Sequence, residues 1–542
     1  MRIVLAIAML VSGASSLAAQ DPPRLAAFIA PLPMIGSPAE ERWRLEQLRG
    51  SAPSHGWLIR TPSSMADSIA GWAVPLPRMC AARVAAVPVS VTTTWNSEIP
   101  FERNDAGVWA GRGTTVAASG GASVRCGRLT VHAVPVIWRA ANADFHVLPS
   151  GYWRRSDFAS PFHSIDQSSA DLPLRFGTRP VNEIHLGQSS LTLDVGRVAV
   201  GFASESEWWG PGIRNALVMS NNAAGIPRWF AGTAHPIRTR AGSLSARLIA
   251  GILTESRYFD RLEVGTRRPL SGLVATLAVA ADTNLTVGAA RVVYRRRASA
   301  MVLPLHAFDV LTVWTTRTPG DSAEQLTTLF GRWLFPSSGL EVYGEWSRVV
   351  LPNSLRSFLV APQHSQGYTV GMQWLSARDA AQPAWRSQLE FTNLEQLRTV
   401  REVSPPSFYT SPVIPQGYTQ RGQVIGATIG PGSSSQYVAL DRIAPRWNIG
   451  LFSGRIRWHH DEFYPRPSGL AFYAHDASFY AGLRATRRGG LLDVSAELVS
   501  ERRLNYLFQH VNYGFGNDET FDVDNLSLRL QLTPAATPRR SP

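Results

Sequence analysis

Between about Pro88 and Leu532 the chain alternates apolar and polar residues with a period of two, the spacing of strands that carry one apolar face. The last segment is the plainest: Leu526, Leu528, Leu530 and Leu532 alternate with Asn525, Ser527, Arg529 and Gln531. Leu244, Ala246, Leu248, Ala250 and Ile252 alternate with a face containing Ser245 and Arg247. Leu340, Val342, Gly344 and Trp346 alternate with Glu341, Tyr343, Glu345 and Ser347. That strand follows Arg332-Trp333-Leu334-Phe335 across Pro336-Ser337-Ser338-Gly339, which reads as a tight hairpin turn facing the periplasm. One such strand fits a soluble sandwich as well as a membrane wall. Many of them, over residues 88–533 and without a convincing helix, predict an all-β fold: a large antiparallel transmembrane β-barrel with lipid outside and charges in a wet lumen. At roughly 10 residues per strand plus connections, this span holds on the order of 16 to 20 strands. A barrel that wide has a lumen that needs a plug if it is not to leak.

Ahead of the strands the period is helical. Ser37 caps, Pro38 occupies the first turn, and Glu40 is placed to reach back as in a capping box. The helix is predicted to run to Arg49 and to end at Gly50, although Ala39, Trp43, Leu45 and Leu48 form no single stripe. A second start is Thr61-Pro62, after which Met65, Ile69, Trp72 and Ala73 share one face until Pro75 and Pro77 stop it. Residues 20–87 are therefore an N-terminal helical plug region. Residues 1–19 read as a signal peptide, from Arg2, the apolar run Ile3 to Val11 and the small-residue site Ser16-Leu17-Ala18. Residues 534–542, rich in Pro and Arg, read as a disordered tail. The final strand ends on Leu532, not on the aromatic residue with which bacterial barrels often end.

Composition narrows the class. No uninterrupted apolar run of about 18 residues follows the signal, and mean hydropathy is −0.07, which excludes a helical membrane protein only. The formal charge of +13 is carried by arginine, with no lysine in the chain. Such a surface suits acidic polysaccharide, anionic lipid or nucleic acid, and export argues against nucleic acid. The two cysteines, Cys80 and Cys126, are an even pair in an exported chain. A disulfide between them would close a loop of roughly 45 residues and stabilise by about 4 kcal/mol; two separate buried thiols are the alternative.

The densest chemistry lies mid-chain, where Trp208-Trp209-Gly210-Pro211-Gly212 is followed by Ser220-Asn221-Asn222-Ala223. This segment resembles that of the Wzi-type capsule assembly proteins. So do Arg332 to Arg348, His364-Ser365-Gln366-Gly367-Tyr368-Thr369, and Gln416 to Gly426 followed by Ile429 to Ser433, in the same order. The resemblance covers most of the chain from about residue 180. It implies an 18-stranded outer-membrane barrel plugged from the periplasm by an N-terminal helical bundle. It also implies lectin-like binding of exported polysaccharide.

Sugars are bound by aromatic faces and by planar polar groups. Trp208 and Trp209 could supply the first, and Arg214, Asn221 and Asn222 the second. The competing readings are an interfacial tryptophan girdle and a loop bonded to backbone. Tyr418, Gln420, Arg421 and Gln423 form a second polar–aromatic cluster, either on a loop folded inward or on a plain connection. Glu205 and Glu207 invite a glycosidase reading, and His459-His460-Asp461-Glu462 a metal. Adjacent histidines on a strand point to opposite faces, and no nucleotide, GxSxG or HExxH signature is present. The chain thus reads as a non-enzymatic polysaccharide-binding barrel, with no cofactor or metal. Its expected partners are capsular or extracellular polysaccharide, outer-membrane lipid and the barrel-insertion machinery. A porin or diffusion channel is the first alternative, and an outer-membrane polysaccharide-modifying enzyme the second.

Overall fold

The computed structural model describes residues 32–535, apart from 55–56, 71–82, 102–103, 151–152, 163–168, 263–264, 297–305, 315–321, 353, 397–406, 464–473, 490 and 510–520. The expected signal peptide, the tail beyond 535, Trp72, Ala73 and Cys80 lie outside the described residues. Cys126 is disulfide-bonded.

The alternating segments pair with their sequence neighbours, antiparallel throughout, and the last strand, Val523–Pro534, pairs with the first, Arg83–Asn96, to close a barrel. Three barrel strands are each broken in two: 129–133 with 136–140, 181–185 with 190–195, and 228–233 with 237–238. Counting each as one gives 18 strands among the described residues. The first break falls at Pro135, which has no N–H to give the ladder. The barrel begins at Arg83, a little before the expected change of period.

The two faces sort as the leucine ladders require. Leu526, Leu528 and Leu530 are exposed, whereas Asn525 and Ser527 are buried. Glu341, Tyr343, Glu345 and Ser347 are buried on the inner side. The outer face carries an apolar band. Trp333, Trp374, Trp385 and Trp447 are exposed near the short-turn end, and Trp229, Tyr368, Phe391 and Phe479 near the other. Such aromatic girdles mark the two membrane interfaces. No helix among the described residues is long and apolar enough to cross a membrane.

The inner side is not uniformly wet. Ile249, Leu253, Val274, Val292, Leu326 and Phe330 point inward and are buried with Trp209, Leu217, Tyr409 and Tyr418 in one apolar cluster. Two long connections, 204–227 and 407–433, fold into the lumen and dry that part of it. The expected wet lumen is therefore dry in this part.

Helix α1, Pro38–Arg49, starts on Ser37 and ends on Gly50 at φ 80°. The Ser37 side chain accepts from Glu40 N–H at 3.4 Å. Glu40 reaches back further than a capping box, to the N–H of Gly36 at 2.5 Å. Its missing apolar stripe has a reason: α1 buries Glu40, Arg44 and Gln47 beside Leu45 and Leu48, because it lies against a polar inner wall. Leu45 and Leu48 pack on Leu334, Leu375, Ala384 and Ile443, and Gly50 lies beside Pro336. The helix therefore sits inside the short-turn end. Helix α2, Pro62–Ala70, follows it.

Candidate functional site

The double tryptophan forms a joint between plug and wall. Trp208 and Trp209 pair, antiparallel, with Arg60 and Ile59. Neither ring is on the surface: Trp208 is 2% exposed and Trp209 0%. Trp208 packs with Ile35, Trp57, Met65 and Ala216, and the Arg60 guanidinium stands 5.1 Å from its ring centre. The exposed girdle is made by other tryptophans. Arg60 donates to the carbonyls of Gly210 and Gly212 at 3.0 and 3.2 Å and pairs with Glu40 at 2.6 Å. Burial pulls its pKa down to about 10, against the pull of Glu40. Arg44 donates to the Pro211 carbonyl at 2.8 Å and pairs with Glu341. Gly210 has φ 106°, and a Cβ there would stand 2.8 Å from a Glu345 oxygen, so the corner requires glycine.

The chain then turns so that Ile213, Arg214 and Asn215 aim three successive N–H groups at one Glu390 carboxylate, at 2.7, 3.1 and 2.8 Å. Such a run of amides is an anion nest, filled here by the wall's own side chain. Tyr343 completes the shell with a hydroxyl at 2.7 Å. Asn221 donates to the carbonyls of Ile35 and Asn104, and Asn222 to that of Val424. Both asparagines therefore staple backbone segments distant in sequence.

The second cluster lies on the other inward loop. Tyr418 is buried and donates to the Val218 carbonyl at 2.8 Å. Gln420 accepts from Thr254 N–H at 2.7 Å, and Gln423 pairs with it across a two-residue hairpin. Arg421 is exposed, at φ 51°, with its guanidinium 2.7 Å from His185 Nδ1.

Glu205 and Glu207 are tied into the plug joint. Glu205 accepts from the N–H and hydroxyl of Ser63 at 2.9 and 2.7 Å, holding the first turn of α2. Glu207 pairs with Arg228 at 3.0 Å and Arg247 at 2.5 Å. Burial raises the Glu205 pKa despite Arg247 and Arg228. For Glu207 burial pushes upward too, but Arg228 and Arg247 outweigh it and the pKa is lowered. Neither carboxylate lines the cavity described below. His459 and His460 lie beyond the strand Trp447–Arg457, with His459 at φ 47°, so strand alternation does not govern them. Asp461 accepts from Gln396 N–H at 2.8 Å and from the Ser407 hydroxyl at 2.5 Å. Among the described residues no three His, Cys, Asp or Glu groups cluster to hold a metal.

Between plug, inward loop and wall lies a cavity of about 460 Å³. Trp208, Arg214, Asn221, Asn222 and Gln423 line it, whereas Trp209, Tyr418, Gln420 and Arg421 do not. The wall contributes Tyr437, Tyr480, Arg484, Glu497 and Arg529, and an outer loop adds Trp458 and His459. The wall residues were missed from sequence singly. Their signal was the period-two spacing of polar and aromatic positions, Tyr480 with Arg484 and Glu497 with Glu501. The cavity's arginines face carboxylates: Arg60 with Glu40, Arg386 and Arg484 with Asp441, Arg503 with Asp476 and Arg529 with Asp105. Arg214 does not. Its guanidinium stands 4.4 Å from the Tyr437 ring centre and has no hydrogen-bond acceptor or ion-pair partner among the described residues.

Residues 92–293 match the family model of the capsule assembly protein Wzi. No curated protein matches the sequence. Among solved structures, Wzi of Escherichia coli aligns with a TM-score of 0.52 at 12% identity, over 91% of this chain and 92% of that one. It is described as an outer membrane protein involved in group 1 capsule assembly and a carbohydrate-binding β-barrel. OccK11 (OpdR) and OprD of Pseudomonas aeruginosa align at TM-scores of 0.38 and 0.37 with 11% and 10% identity. They cover 84% and 82% of this chain and 95% and 94% of theirs. The matched segment contains the W-W-G-P-G corner, and the barrel as a whole is similar in fold to Wzi.

Proposed function

We propose that this protein is an outer-membrane β-barrel that binds capsular or other extracellular polysaccharide and helps attach or assemble it at the cell surface, without chemistry on the polymer. The observation that carries the reading is the occupied lumen. A diffusion channel needs a continuous aqueous path, and here α1 fills the short-turn end while two inward loops build an apolar core across part of the interior. What remains is a polar and aromatic cavity of about 460 Å³, within the range of small-ligand sites. A glycosidase needs two carboxylates at a cleft, and Glu205 and Glu207 are consumed by Ser63, Arg228 and Arg247.

Of the candidates, Trp208, Arg214, Asn221 and Asn222 line the cavity, which supports a role for them in sugar contact. Trp209, Tyr418 and Gln420 act by packing the inward loops, and Arg421 acts at the surface. Many weak contacts along a polymer sum to firm retention. Outer-membrane lipid surrounds the apolar band, and the barrel-insertion machinery acts during biogenesis. The test is deletion of the gene, with cell-bound and released polysaccharide measured separately. The released fraction should rise at constant total; unchanged retention defeats the proposal.

A further inference from the structure

We infer that Arg214 is the residue that takes the carboxylate of an acidic sugar unit within the bound polymer. The inference deepens the polysaccharide-binding reading and rests on it.

Three observations lead there. First, the cavity is rich in arginine, yet the six others that line it each pair with a carboxylate, and Arg214 alone keeps its donors free among the described residues. Those donors are open to an acceptor that a ligand supplies, although Glu497 lies close enough to favour the charged guanidinium. Second, Arg214 is pre-positioned. Its backbone is clamped by Glu390 through three successive N–H groups, and its guanidinium is backed by the Tyr437 ring at 4.4 Å. Little freedom is lost when it binds. Third, one planar guanidinium fork matches one planar carboxylate bidentately. A phosphate dianion would call for further unpaired cations, which the cavity does not offer.

The test uses the full-length mature protein in detergent, with tetragalacturonate and its methyl ester as ligands, so that the two share one sugar chain and differ at the carboxyl groups alone. Titration calorimetry on the parent should give at least tenfold tighter binding of the acid than of the ester. Arg214→Gln should abolish that preference while ester affinity stays within about twofold, and Arg214→Lys should restore part of it. Migration of boiled and unheated samples establishes that each variant is folded. Retention of the preference by Arg214→Gln, or equal binding of both ligands by the parent, overturns the role of Arg214 and leaves the polysaccharide-binding reading standing. If neither ligand binds the folded parent, that reading falls and this inference with it.

Discussion

Glu255 is buried just beyond the strand Gly242–Thr254, and its protonation state is set by that position. Burial pushes its pKa up to about 7, with the hydrogen bond from Gln416 at 2.6 Å opposing and neighbouring Asp171 and Asp260 reinforcing. The folded state therefore binds the proton more tightly than the unfolded chain does. Near pH 4.5 the group is neutral to stability; the penalty grows as pH rises toward 7 and is complete above it. Glu255→Gln, which keeps an oxygen for Gln416, should raise the unfolding midpoint at pH 8 and leave it nearly unchanged at pH 4.5. The difference is on the order of 3 kcal/mol. An equal effect at both pH values would show that Glu255 is ionised in the fold. Residues of this kind were invisible in the sequence, since nothing beside Glu255 along the chain announces Asp171 or Gln416. The tryptophan corner was conspicuous by its composition. Its role as a joint was not, because its partners Ile59 and Arg60 lie far away in sequence, and two alternating residues predict no strand.

At the scale of elements, the strands were legible wherever one face meets lipid and the other polar side chains, as in Leu526 to Leu532. They were less legible where the inner face is itself apolar. Ile249 and Leu253 break the alternation of their strand because inward loops, not water, lie against them. The same physics hid α1's orientation, since a helix packed against Glu341 and Arg332 buries Arg44 and Gln47 instead of a leucine stripe. The lipid-facing ladder can be tested directly. Leu528 is 46% exposed within the last strand, between Leu526 and Leu530 and away from both ends. Leu528→Arg should destabilise the barrel in bilayers by roughly 2–4 kcal/mol, the cost of a cation at mid-depth. A charge on the inner face of the same strand is already tolerated at Arg529, which meets Asp105. Reversible folding into lipid vesicles measures this, and a change within about 0.5 kcal/mol, typical of ordinary surface positions, would mean that this face does not meet acyl chains.

At the scale of the molecule, α1 and the corner Trp208-Trp209-Gly210-Pro211-Gly212 hold one another in the lumen through a few buried groups. Arg44 joins Glu341 on the wall to the Pro211 carbonyl of the loop. Arg60 joins Glu40 on α1 to the Gly210 and Gly212 carbonyls. Each guanidinium therefore links two bodies. Its loss leaves loop carbonyls without a donor, at about 1–3 kcal/mol for a buried polar group left unpaired, while Glu341 keeps Arg332 and Gln373 and Glu40 keeps the Gly36 N–H. The wall would survive, because its ladders do not pass through the plug. Replacing both, as Arg44→Ala with Arg60→Ala, should therefore loosen the plug within an intact barrel. In planar bilayers the parent should be nearly silent, since its lumen is filled, and the double variant should flicker open with conductance steps while keeping the heat-dependent migration of a folded barrel. A variant as silent as its parent would place the seal in the inward loops 204–227 and 407–433 alone, and would remove α1 from the account of why this barrel is closed.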